Sequence, residues 1–350
     1  MRRFRSEAEL IDKIKRRFRV CDGDNLVCIG DDAAVIKDRA GRVRLLTTDM
    51  LVEGVHFSSA FATPYDTGRK AMAVNISDIA AMGGRPARCV LSLAAPQSRQ
   101  ASLWEVTRGI TDESRRFGVQ VVGGDISTSR EGLVINIALE GYCPAKQVVL
   151  RSTAKLRDAV YLTGHPGRSA LGLELLKKGF RLDKRRLKVP RSGPSLKEPL
   201  QRAARRALRA HLRPEPNVRT GRELAGKKLA TAMIDTSDGL SRDLYNLCRA
   251  SRVGAQIDHR ALSGDAWDER LAHSLDLDMG ELKLHGGEDY GLLFTVNPDN
   301  EGSLDRMDTN VYHLRKIGRI TRAKAGLNLS LETGKLCVLP DRGWDHFHKV

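Results

Sequence analysis

Nowhere in the 350 residues do 18 apolar residues run without interruption, which excludes a membrane-spanning helix. No two of the six cysteines (Cys21, Cys28, Cys89, Cys143, Cys248 and Cys337) form a C-x-x-C pair. A zinc knuckle and a small disulfide scaffold are therefore left out, and reduced packing thiols in a cytoplasmic setting are expected. The familiar nucleotide signatures are missing too. The glycine-rich Gly164–Ser169 stretch lacks the lysine of a phosphate-binding loop, Ser241-Arg-Asp-Leu is not a protein-kinase catalytic loop, and no G-x-G-x-x-G opens a helix. Acidic residues are in deficit, 43 against 59 Lys and Arg, for a net charge of +16. That balance is compatible with nucleic acid, an acidic membrane or anionic substrates, and the total alone does not choose among them.

What is present is an ordinary globular composition, 41% hydrophobic, at a length that suits two domains. Strand-like runs over Val43–Thr48, Arg88–Ala94, Val119–Val122, Leu133–Tyr142, Ala159–Thr163, Leu229–Ile234 and Gly291–Val296 alternate with helical ones. The helices are expected over Asp66–Met82, Ala101–Phe117, Ala170–Lys178, Pro199–Leu212 and Leu240–Ser251, giving a mixed α+β or α/β chain. The Arg-rich start is read as a helix rather than a targeting leader. Ser6 and Glu9 form a capping box, acids are interspersed, and Leu10, Ile11, Ile14 and Phe18 share a face. The polar stretch Pro144–Asp158 marks the best boundary, dividing the chain into 1–148 and 149–350. Lys177–Arg213 carries fourteen basic residues against two acids, so most of the net charge is local. With Phe180 as its one aromatic, the segment reads as a solvated elaboration over a nucleic-acid surface.

The acids carry more information than the bases. Asp31-Asp32, Asp49, Asp125, Asp235 with Asp238, and Glu288-Asp289 mostly follow apolar runs, with glycine close by, where strands are expected to end. Asn75 and Asp78, three apart, share a face of an alanine-rich helix. Each such acid alone is an ordinary turn or cap residue. Converging, each pair at ~4 Å would repel by roughly 4 kcal/mol at an effective dielectric of ~20, so the group calls for cations. Oxygen donors without His or Cys select a hard ion such as Mg²⁺ bridging phosphates.

The motifs IGDDAAV (29–35), TTDMLVEGVHF (47–57), KAMAVNISDIAAMGG (70–84), GGDIS (123–127), IDTSDGLSRDL (234–244), GGEDY (286–290) and WDHF (344–347) occur in that order. Together they resemble the thiamine-monophosphate kinase family, within the aminoimidazole-ribonucleotide synthetase superfamily. The resemblance implies a two-domain fold: an N-terminal α+β domain that dimerises through its sheet, and a C-terminal α/β domain that completes a cleft. It implies phosphoryl transfer from ATP to thiamine monophosphate by a homodimer.

By the same resemblance several Mg²⁺ ions would be bound, by Asp32, Thr47, Thr48, Asp49, Asp78, Asp125, Asp235 and Asp238, with Asp49, Asp78, Asp125 and Asp235 at the catalytic centre. ATP would be met by Gly124, Asp125, Arg151 and Ser237, and thiamine monophosphate by His56, Glu288 and Trp344. One departure stands out: Asn217 occupies the place of an arginine in the family's HLRP-x-P-R stretch.

Overall fold

The structure, a computed structural model, describes residues 4, 6–18, 23–183, 186–191, 193–304, 306–307 and 313–347. Cys21, and Lys184 and Arg185 of the basic segment, lie outside the described residues. The Glu9 amide donates to Ser6 Oγ at 3.2 Å and opens α1 (Glu7–Phe18). None of this helix is buried, and Ile11, Ile14 and Phe18 are exposed, so among the described residues its apolar face covers no core.

The N-terminal half builds a six-stranded sheet from β1 (Asn25–Val27), β2 (Ala34–Lys37), β3 (Arg42–Val52), β4 (Arg85–Ala95), β5 (Gln120–Thr128) and β6 (Val134–Pro144). Their order is β1-β2-β3-β6-β4-β5, antiparallel throughout except for β4 beside β5. Alternation decides the faces. Leu45, Leu51, Leu91, Ile135, Ile137 and Leu139 are buried, while Leu46, Met50 and Val90 stand on the opposite, open face. The buried face packs on α2 (Pro64–Ala81), which Thr63 caps, and on α3 (Gln100–Phe117). A Cβ on Gly68 would lie 2.0 Å from Val106 O, and one on Gly109 2.0 Å from Tyr65 O. The two helices therefore touch backbone to backbone, an approach only glycine permits.

The C-terminal half contains β7 (Ala159–Leu162), α4 (Arg168–Lys177), the short hairpin β8 (Arg181–Asp183) and β9 (Arg186–Lys188), α5 (Glu198–Leu212), α6 (Val218–Gly226), β10 (Ala230–Asp235) and α7 (Leu240–Ser251). It continues with β11 (Val253–Asp258), α8 (Ala266–His273), α9 (Met279–His285), β12 (Leu292–Val296), α10 (Glu301–Leu304), β13 (Arg315–Arg322), β14 (Leu327–Ser330) and β15 (Leu336–Val338). Its seven-stranded sheet runs β10-β12-β7-β13-β11-β14-β15, with β11 and β14 the parallel pair. The two halves share their interiors. Tyr290 joins the N-terminal core, and Ala81, at the end of α2, packs with Leu224, Met233 and Phe294.

Three expectations need correction. Asp49 and Asp125 do not follow strands but sit within β3 and β5, because both strands run past the apolar stretch that announced them. The cysteines are not all reduced: Cys89, Cys143, Cys248 and Cys337 are free, whereas Cys28 is disulfide-bonded. The basic segment is less solvated than its composition implies. Arg206 pairs with Asp265 at 2.8 Å, Arg213 with Asp66 at 2.5 Å and Arg205 with Glu198 at 2.6 Å, and Arg181 donates to the carbonyls of Leu176 and Phe180.

Candidate active site

Three carboxylates from three separate elements converge where the halves meet. Asp32 precedes β2, Asp78 lies on α2 and Asp235 ends β10, and one oxygen of each lies within 4.8 Å of the others. Two such charges at that distance repel by about 3 kcal/mol at an effective dielectric of ~20. Burial and then the charges of Asp49, Asp235 and Asp32 push the Asp78 carboxyl well above its usual range. Asp235 is raised well above it by burial and then by Asp32. Asp32 is raised by burial against the pull of Arg151, and Asp49 is pushed up to about 6 by burial and then by Asp32.

The surrounding donors hold this group in place. Thr47 Oγ1 donates to Asp78 at 2.5 Å, and Ser77 Oγ to Asp235 at 2.7 Å. Asn75, fully buried, accepts the Asp49 amide at 3.0 Å, which fixes β3 against α2. Arg151 pairs with Asp32 and its backbone amide donates to Asp31 at 3.2 Å. Burial opposes the charge on Arg151, yet Asp32 and Asp31 hold its guanidinium above its ordinary pKa. A cleft of about 470 Å³ opens beside this group, walled by Phe18, Val27, Ile29 and Leu46 and bounded by Asp31, Asp32, Thr47 and Thr48.

The remaining expected ligands are placed less closely. Thr48 alternates away from Thr47 and Asp49, and its Oγ1 donates to Asn136 on the open face at 3.1 Å. Asp125 pairs in register with Ser92 on that same face, on an edge strand exposed along its whole length, with Gly124 beside it. Asp238, beside Ser237 in the turn before α7, is pushed up to about 6 by burial and then by Glu7. Its carbonyl accepts the Trp344 amide at 2.9 Å.

Residues expected on the other substrate form a second, connected group. The rings of His56 and His346 stand 5.1 Å apart, and those of His346 and Trp344 5.6 Å apart, edge to face. His56 Nδ1 accepts the Val52 amide at 3.0 Å, which assigns the proton of the neutral ring to Nε2. Burial and then the charges of His346 and Lys70 lower His56 to about 4, so it is neutral near pH 7. Lys70 Nζ lies 3.4 Å from the His56 carbonyl and 2.5 Å from Glu288 Oε1, while His211 Nδ1 lies 3.3 Å from Glu288 Oε2. Glu288 itself has φ of +65°.

Lys70, Ser77, His211 and His346 were not singled out from the sequence. A lysine at the start of the alanine-rich part of α2, seven and eight residues before Ser77 and Asp78, was the available signal for the first two. Asn217 donates to the Tyr290 carbonyl at 3.1 Å, so the position that departs from the family pattern still fastens the Gly286–Tyr290 turn.

Residues 30–143 match the family model for the AIR synthase related protein N-terminal domain, and residues 158–327 that for its C-terminal domain. The thiamine-monophosphate kinase of Escherichia coli (strain K12) is 34% identical over 346 residues, covering 97% of this chain and 98% of that protein. The thiamine-monophosphate kinase of Buchnera aphidicola subsp. Schizaphis graminum is 32% identical over 344 residues, covering 98% and 99%. Among solved structures, AaThiL complexed with AMPPCP and TMP superimposes with a TM-score of 0.81 at 31% identity, covering 99% of each chain.

Proposed function

Because this chain belongs to the thiamine-monophosphate kinase family, we propose that it transfers the γ-phosphoryl group of ATP to thiamine monophosphate, giving thiamine diphosphate and ADP. The observation that carries this reading is the convergence of Asp32, Asp78 and Asp235, with Asp32 also bordering a cleft that Phe18, Val27, Ile29 and Leu46 line on its apolar side. Such a cleft suits a nucleotide, its base against Phe18, Ile29 and Leu46 and its phosphates toward the carboxylates.

The attacking group is a phosphate oxygen, already anionic near neutral pH, so no strong general base is required. The difficulty is bringing two polyanions together. Arg151 contributes a fixed positive charge at the carboxylate end, and Asp31 and Asp32 orient it. The donor set fits Mg²⁺: it is all oxygen, and Asp32 Oδ2 is buried without a hydrogen-bond partner. Asp32, Asp78 and Asp235 would hold the ion, with Thr47 and Asp49 adjoining. When bound, Mg²⁺ would supply charge neutralisation for the phosphates. Asp238 and Ser237 border the site from the α7 turn, whereas Thr48, Gly124 and Asp125 are assigned on the family pattern alone.

On the acceptor side, Trp344 is 40% exposed and offers a ring face to a cationic thiazolium, an attraction of about 0.5–2 kcal/mol. His56 presents a neutral Nε2–H donor, and Glu288 an acceptor for an aminopyrimidine. The open face of the six-stranded sheet, with Met50 and Val90 exposed and the edge strand β5 beside them, is proposed to meet the same face of a second copy.

The test is a coupled ADP-release assay with a panel of phosphorylated acceptors. Turnover confined to thiamine monophosphate, with thiamine diphosphate formed in step with ADP, is expected. Preference for another acceptor would overturn the assignment.

A further inference from the structure

Lys70 is 3% exposed, a rare state for a lysine unless it is paired. It projects from α2, in the N-terminal half, toward a turn of the C-terminal half. Its ammonium meets Glu288 Oε1 at 2.5 Å and the His56 carbonyl at 3.4 Å. One cation thus ties together two of the three residues assigned to the acceptor site. The cavity beside it, bounded by Phe57, Phe61 and His211, is about 10 Å³ and leaves no room for a solvent counter-ion.

The turn that carries Glu288 is held hard from its own side. The Glu288 amide donates to the Ser237 carbonyl and the Tyr290 amide to the Thr236 carbonyl, both at 2.8 Å. Asp289 accepts from the amides of Gly167 and Ser169 at 2.6 and 2.9 Å. A Cβ on Gly287 would lie 2.6 Å from Ser237 O, so the turn is pressed against the α7 entry. Glu288 adopts a left-handed backbone, φ +65°, a conformation that persists in a non-glycine residue only where its surroundings over-determine it. With the backbone so fixed, what remains to be set is the direction of the carboxylate. His211 touches its other oxygen, but burial and then Lys70 hold that imidazole well below its usual pKa, so it brings no second charge. Among the described residues, Lys70 is the charged cation paired with Glu288.

We propose that Lys70 is a positioning residue for the acceptor site: it aims the Glu288 carboxylate and the His56 loop across the domain junction at thiamine monophosphate. The inference rests on the reading that Glu288 meets that substrate. It assigns no contact between Lys70 and the reacting atoms, so its loss weakens acceptor binding rather than phosphoryl transfer.

The experiment is steady-state kinetics, with each substrate varied in turn, on full-length wild type, Glu288→Gln, Lys70→Met and the double variant. The double variant has no orphaned buried charge and guards against a single variant that fails to fold. Lys70→Met is expected to raise the KM for thiamine monophosphate by about ten- to a hundred-fold, the range for a lost charged hydrogen bond. The KM for ATP and kcat should stay close to wild type. The double variant should match Glu288→Gln alone, because Lys70 acts through Glu288. If Glu288→Gln leaves the acceptor KM unchanged, the reading of the site fails and the proposal with it. If Glu288→Gln raises it while Lys70→Met does not, or the two losses multiply in the double variant, only the role given to Lys70 is overturned. Equal losses for both substrates would make Lys70 a structural lysine and overturn the proposal too.

Discussion

Ser77 on α2 donates its hydroxyl to Asp235 at the end of β10, at 2.7 Å, with both groups buried and 158 positions apart in the chain. The bond fastens the N-terminal half to the carboxylate that the C-terminal half contributes. Ser77→Ala leaves Asp235 without that donor and should destabilise the protein by about 1–2 kcal/mol in urea unfolding. Unchanged stability would show that the tie carries no load.

The carboxylate group makes stability depend on pH in a direction that can be worked out. Asp49 and Asp238 are raised to about 6 and Asp31 to about 7, each from 3.8. With folded values raised, the native protein holds more protons than the unfolded chain between roughly pH 4 and pH 7. These groups therefore cost stability progressively as pH rises through that window. His56 and His165, both lowered to about 4, act in the opposite sense, since the unfolded chain takes up protons below about pH 6.5. Comparing melting with and without Mg²⁺ isolates the carboxylates, because the ion binds their deprotonated form. The Mg²⁺-induced rise in Tm should grow between about pH 5 and pH 8. A rise that shrinks with pH would count against the assigned ligands.

Trp344→Ala should raise the KM for thiamine monophosphate by an amount equivalent to about 1–3 kcal/mol and leave that for ATP nearly unchanged. The Trp344 amide also bonds Asp238, and the backbone survives this substitution, so the two effects separate. Equal losses for both substrates would mark a tryptophan that only anchors the chain end.

How much of this could be read from the sequence depended on the kind of signal. The buried helix α2 was legible because alanine and glycine at close spacing announce tight packing. The acids of IGDDAAV, NISDIAAMGG and IDTSDGL stood out against apolar neighbours. The place of Asp49 and Asp125 within their strands was not legible, since each strand continues through polar residues that only cross-strand pairing stabilises. Strands β11, β13, β14 and β15 went unseen for a related reason: β14 and β15 are only four and three residues long, and polar or charged residues interrupt β11 and β13, so none shows a continuous apolar stretch. Lys70 was invisible as a partner of Glu288 because 218 residues separate them and no local periodicity encodes that contact.

The basic segment gives a further prediction. Arg202 and Arg209 are exposed on one side of α5, Arg202 with a loose 3.9 Å ion pair to the exposed Glu198, whereas Arg206 and Arg213 pair with Asp265 and Asp66 of other elements. Reversing both exposed charges, Arg202→Glu with Arg209→Glu, should leave kcat/KM unchanged for either substrate. A loss that fades as salt rises would instead show that α5 steers anions toward the cleft, over the ~8 Å reach of charges at physiological ionic strength.

The proposed binding of Mg²⁺ by Asp32, Asp78 and Asp235 is tested most directly by thiamine diphosphate formation in a Mg²⁺ titration, wild type against Asp78→Asn, at saturating ATP and thiamine monophosphate. The substitution removes a negative ligand while relieving repulsion, so turnover should fall by orders of magnitude, most severely at limiting Mg²⁺, while the melting temperature of the metal-free protein holds or rises. Near-normal turnover of Asp78→Asn at limiting Mg²⁺ would contradict it.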